Sequence, residues 1–131
     1  MASTPTFTAT PLISSVAVST ANTARDGSGT IATVITTTGA CKIEEIVVKS
    51  TGDPADSVVT LFVDVTGGGT WVLFDELDLG NPAAGSSTVT AYRQSISYAN
   101  FCLPSGAKIG AAITVTATAG ELKVWALGGY F

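Results

Sequence analysis

The feature that most constrains this chain is a period of two, repeated in short runs and broken each time by turn-forming residues. From Ala107 to Ala117, positions Ala107, Ile109, Ala111, Ile113 and Val115 share one parity, while Lys108, Gly110, Thr114 and Thr116 share the other. Successive side chains of a strand point to opposite faces, so this pattern predicts a half-buried strand. Val59, Leu61, Val63 and Val65 repeat it, and Phe62 on the opposite parity implies that both sides of that strand meet other protein. Thr66-Gly67-Gly68-Gly69-Thr70 then precedes Trp71–Glu76, and its glycines suit a tight reversal, so these two runs are predicted to form a hairpin.

Further strands are predicted at Leu12–Thr20, Thr30–Thr37, Cys41–Ser50, Thr88–Ser97 and Glu121–Leu127, between clusters of Gly, Asn, Asp, Pro and Ser. Within Ile43-Glu44-Glu45-Ile46-Val47-Val48 the apolar residues change parity, which places a bulge near Glu44 and Glu45. About eight strands at this spacing make an all-β chain, a single antiparallel β-sandwich, with no helix longer than two turns. Pro5 and Pro11 lie among threonines, so residues 1–15 read as an extended N-terminal arm and residues 16–131 as the sandwich domain. A chain of 131 residues holds one such core.

Chemistry is sparse. The chain has no histidine, the side chain best suited to proton transfer near neutral pH, and no Gly-x-Ser-x-Gly elbow. A glycosidase needs two carboxylates across a cleft, and the adjacent Asp75 and Glu76 point to opposite faces of a strand, although Asp64 and Asp75 could meet across the hairpin. Asp26-Gly27-Ser28-Gly29 resembles a fragment of a calcium loop without its distal acids, and reads as a plain turn. Asp53, Asp56, Asp64, Asp75, Glu76 and Asp78 read as solvated turn acids, or as a cation site if the hairpin gathers them. No catalytic residue, cofactor or metal ligand is therefore assigned, and a non-enzymatic role is expected.

Cys41 and Cys102 lack metal-ligand spacing and read as two small buried thiols, with a disulfide as the alternative. The N-terminus has no basic segment followed by an apolar core, so cytoplasmic synthesis is expected. A net charge of −4 with scattered cations argues against nucleic acid and anionic membranes as partners. Only 12% of residues are charged, against about a quarter in ordinary soluble domains, while Ser and Thr supply the polarity. That balance predicts a homo-oligomer, against a Thr-rich monomer as the alternative. Candidate partner contacts are Pro5, Phe7, Pro11 and Leu12 in the arm and Tyr130 and Phe131 at the C-terminus. The last two follow Gly128-Gly129, read as a flexible joint, and either close the core or dock on a partner. Trp71 and Trp125, with Tyr92 and Tyr98, are the alternative: a stacking platform for sugar rings.

Thr23-Ala24-Arg25-Asp26-Gly27-Ser28-Gly29-Thr30, Ile43 to Lys49, Val59-Thr60-Leu61-Phe62-Val63, Leu73-Phe74-Asp75-Glu76 and Leu103-Pro104-Ser105-Gly106 together resemble small β-rich virion proteins of tailed bacteriophages, over most of residues 23–131. The resemblance rests on turn and strand punctuation. It implies an auxiliary structural protein with a jelly-roll-like sandwich, commonly trimeric, on the capsid surface or elsewhere on the particle. The expected function is capsid decoration: a cement protein that assembles in the host cytoplasm, clamps the major capsid protein at local three-fold positions and reaches the lattice with its arm. A tail or baseplate component and a carbohydrate-binding module are the alternatives.

Overall fold

β-branched residues dominate the runs that become strands, because their stiff side chains pack on a pleated surface. The computed structural model describes residues 8–52, 56–80, 85–118 and 120–131. These contain eight strands and no helix: β1 (Thr10–Ala17), β2 (Ala32–Thr36), β3 (Cys41–Ser50), β4 (Val58–Asp64), β5 (Val72–Asp78), β6 (Arg93–Leu103), β7 (Lys108–Ile113) and β8 (Leu122–Tyr130).

The pairings nest. β4 pairs β5, β3 pairs β6, β2 pairs β7 and β1 pairs β8, all antiparallel, as in one long hairpin with its tip at the β4–β5 turn. Rolling that ribbon adds β3–β8 and β4–β7 contacts and splits it into two four-stranded sheets, ordered β1-β8-β3-β6 and β2-β7-β4-β5. This is a jelly-roll sandwich. The predicted hairpin forms, and its turn uses Gly67 and Gly69 at φ of 72° and 100°, a region that favours glycine.

The core lies between the sheets. Ile43, Ile46, Val48, Leu122, Val124 and Ala126 meet Val34, Val59, Leu61, Leu77, Ile109 and Ile113 in one cluster. Each such large aliphatic side chain stabilises the fold by about 1.5–3 kcal/mol relative to exposure. The predicted bulge in β3 falls between Ile43 and Glu45, and through it Ile43 and Ile46 both reach the core despite their opposite parity.

The structure corrects several expectations. Residues 10–15 are strand rather than arm: β1 is the edge strand beside β8, and an edge tolerates Pro11, which has no N–H to donate. Pro5 and Phe7 lie outside the described residues. β6 runs to Leu103 instead of ending at Ser97, because Tyr98, Ala99 and Asn100 together oppose the single bulged Glu44 and pairing then resumes at Phe101. β7 is covered on both faces rather than half-buried. Val65 lies beyond β4 and is exposed. Gly128 and Gly129 are strand residues of β8, so the C-terminal aromatics follow no joint.

Candidate functional site

The two outer faces of the sandwich are treated differently by the chain. On the β2-β7-β4-β5 sheet, Phe62 and Ala112 project away from the main core, yet both are buried. Residues 21–31 lie over this face. Asn22 ties the segment down: its amide N–H groups donate to the Ser28 and Thr30 carbonyls at 3.0 Å each, its Oδ1 accepts from the Ala24 N–H, and its own N–H donates to the Ile113 carbonyl at 2.8 Å. Arg25 pairs with Glu76 of β5. The Trp71 ring and Ile31 sit on Gly110, where an added Cβ would come within 2.9 Å of the ring and 2.6 Å of Ile31.

On the outer face of the β1-β8-β3-β6 sheet the described residues give cover at Gly129, where an added Cβ would come within 2.5 Å of the Thr8 side chain, and none folds across Trp125. The register arranges the sheet's outward side chains in rows across β6, β3, β8 and β1. Arg93, Lys49, Lys123 and Ala17 form one row; Ser95, Val47, Trp125 and Ser15 the next; Ser97, Glu45, Leu127 and Ile13 the third; Cys102, Lys42, Gly129 and Pro11 the last. Trp125, Leu127 and Ile13 thus adjoin in one apolar patch with Val47 buried beside them: Val47 is 7% exposed, Trp125 and Leu127 are half-buried and Ile13 is 66% exposed. A shallow groove of about 340 Å³ runs between Val47, Lys49, Arg93, Trp125 and Leu127.

Charge is as unevenly divided. This face carries Lys42, Lys49, Arg93 and Lys123 against Glu44 and Glu45. Lys42 lies 3.6 Å from Glu44, and Arg93 donates to Glu45 at 2.8 Å. Lys49 donates to the Ala91 carbonyl, and Lys123 has no ion pair among the described residues. The remaining described residues hold seven carboxylates and two cations.

The expected contact residues are dispersed. Pro11 is exposed on β1, whereas Leu12 is buried in the core. Tyr130 packs against the core and Phe131 is 47% exposed, so one closes the fold and the other faces outward. Trp71 and Trp125 belong to opposite outer faces and form no common platform. Tyr98 packs with Phe74 and Phe101, at 6.1 and 5.1 Å between ring centroids, and donates to Asp75 at 2.8 Å. Burial first, then the Asp75 hydrogen bond and charge, push the Tyr98 hydroxyl well above the ordinary phenol range. Tyr92 is also raised, by burial and then by Asp78, and it donates to Gln94 rather than joining a platform.

The acids are used locally. Asp26 accepts from the Ser28 N–H and hydroxyl, the geometry of a plain turn, and these bonds lower its pKa. Asp64 is buried at the start of the hairpin turn. Burial raises its pKa, but the Gly69 and Gly67 amides, the Thr66 hydroxyl and the Lys108 charge outweigh that and hold it low. Asp64 and Asp75 therefore serve different ends and do not pair across the hairpin. Cys41 is buried, and burial pushes its thiol up; Cys102 is exposed, contrary to expectation. They occupy neighbouring rows on opposite faces of the sheet, and both are free.

Sequence reasoning missed Ile13, Val47, Lys49, Arg93 and Lys123 as a group. Alternation alone places Val47 and Lys49 on one parity; the rest needs the register of four strands remote in sequence.

No family model and no curated protein matches this sequence. Among solved structures, the chain is similar to one of infectious bursal disease virus, Gt strain, at 12% identity and a TM-score of 0.33, over 98% of this chain and 33% of that one. The chain thus spans about a third of that longer chain.

Proposed function

We propose that this protein is a non-enzymatic structural component of a bacteriophage particle, a capsid decoration protein that binds and stabilises the coat lattice as a homotrimer. One observation carries the reading: among the described residues, the outer face of the β1-β8-β3-β6 sheet, apolar around Trp125 and charged at its margin, lies open, whereas residues 21–31 cover the other outer face. A protein that assembles with copies of itself on a lattice needs such a surface and no chemistry. The low charged fraction and the resemblance to phage virion proteins support the same role, and jelly rolls recur in capsid domains as well as in lectins. Several weak contacts made at once by a trimer would hold it on the lattice by avidity.

The test is co-sedimentation of the purified protein with empty capsids of the phage that encodes it. Saturable retention on heads is expected; recovery with the tail fraction, or no retention, overturns the decoration role. The arm is tested by deleting residues 1–7, since a cut reaching Leu12 removes core. Weaker capsid binding with an intact fold is expected, and unchanged binding removes the arm from the mechanism. The groove beside Trp125 favours a second reading, a carbohydrate-binding module: it predicts glycan binding that Trp125→Ala abolishes and Trp71→Ala spares.

A further inference from the structure

The bare sheet face has the anatomy of a protein interface rather than of a small-molecule site. Its apolar residues, Trp125, Leu127 and Ile13 with Val47 buried beside them, adjoin one another across three strands, serines border them, and charged residues lie along the margin. An apolar centre with a polar rim is the usual division of such surfaces, and Trp and Arg are the residues most often decisive in them. Ligand pockets are concave, whereas this face is an open sheet with one shallow groove.

The rim shows what must meet it. Arg93 faces Lys49 and Lys49 faces Lys123 as direct cross-strand partners, on strands about 4.8 Å apart. Like charges directly opposed destabilise a sheet, so the row is relieved when carboxylates approach it. Two copies meeting through this face would set one cationic row against the other, which charge complementarity disfavours. The β5 side of the molecule has the opposite character: Asp26, Asp78 and Glu76 are exposed there, Glu76 paired with Arg25, and Val65 and Val72 on the same hairpin are 54% and 57% exposed.

We infer that the outer face of the β1-β8-β3-β6 sheet binds the acidic β5 side of a second copy, head to tail. Trp125 lies at the centre of the contact, and Arg93, Lys49 and Lys123 face the neighbour's carboxylates. Contacts between two different patches are heterologous, and they generate a ring when the rotation closes, here after three copies. The inference rests on the homotrimer reading above and names its interface.

The experiment is native mass by light scattering on the full chain, with rising salt. A trimer that dissociates as salt screens the charges is expected. Lys49→Glu with Lys123→Glu should weaken self-association by about a hundredfold or more, because acid then meets acid. The monomer's melting temperature should change little, since the repulsion between Arg93 and Lys49 becomes an attraction while that between Lys49 and Lys123 is replaced by the repulsion of two carboxylates. Adding Asp78→Lys to the same chain keeps the Arg25–Glu76 pair, offers the new carboxylates a cation and should restore part of the lost association. A monomeric wild type, a trimer indifferent to Lys49→Glu with Lys123→Glu, or a monomer whose Trp125 face takes up an acidic polysaccharide each overturns the inference. If that double variant stays trimeric but no longer binds capsids, the interface falls and the lattice function stands. If the trimer responds as expected but never binds capsids, the interface stands and the lattice function falls.

Discussion

The two tryptophans show how differently the outer faces of this sandwich are used. Trp71 lies over Gly110 on the β2-β7-β4-β5 sheet, beside Ile31 and above a strand whose outward Phe62 is fully buried. Trp125 lies on the β1-β8-β3-β6 sheet between Val47 and Ser15, with nothing among the described residues folded across it. Among the described residues, a second, smaller core stands on one face and the other lies open around Trp125. Burial on the first face stabilises the monomer; the same chemistry on the second is available for a partner.

The comparison breaks first at Phe62. Phe62→Ala should cost about 3–5 kcal/mol in urea unfolding, as for a core phenylalanine. A loss below about 1 kcal/mol, the usual surface range, would mean that the covered face is no second core. Asn22→Ala strips partners from the Ser28 and Thr30 carbonyls and the Ala24 N–H, and should cost about 1–3 kcal/mol. Hydrogen exchange should show faster opening of residues 21–31 with β3 and β8 unchanged; uniform loosening would show that the cover is not a separable layer.

Tyr98 sharpens the comparison at the end of the sandwich, where β5 meets β6. Tyr98→Phe should cost about 1–2 kcal/mol at neutral pH through the lost bond to Asp75. A phenol whose pKa is higher folded than unfolded keeps its proton longer in the native state. Its contribution is therefore complete below about pH 10 and is lost as pH rises beyond that. Wild-type stability should fall there more steeply than that of Tyr98→Phe; parallel curves would contradict the buried hydroxyl. Asp64 acts in the opposite direction, since its folded pKa is lowered: its contribution is present above the ordinary carboxylate range and fades as pH falls through the folded value.

The smallest effect is expected at Trp125. In dilute protein, Trp125→Ala should change unfolding free energy by less than about 1 kcal/mol, the scale of a cross-strand pair. A loss as large as that of Phe62→Ala would show that both faces serve the fold equally.

Alternation, turn residues and length were enough to read an all-β chain, its eight strands, the β4–β5 hairpin and the bulge at Glu44, because strand periodicity and turn chemistry are local. The limits of β1 and β6 were not local. Pro11 is acceptable only because β1 has a free edge, and Tyr98–Asn100 continue a strand only because β3 bulges opposite them. The candidate surface was less legible still. Trp125 stood out in the sequence, but Ile13, Val47, Lys49, Arg93 and Lys123 became its neighbours through the pairing of β1, β8, β3 and β6, strands as far as 120 residues apart. Composition determined that this chain would have many apolar and few charged residues; the rolling of one long hairpin decided which outer face residues 21–31 cover and which one the described residues leave open around Trp125.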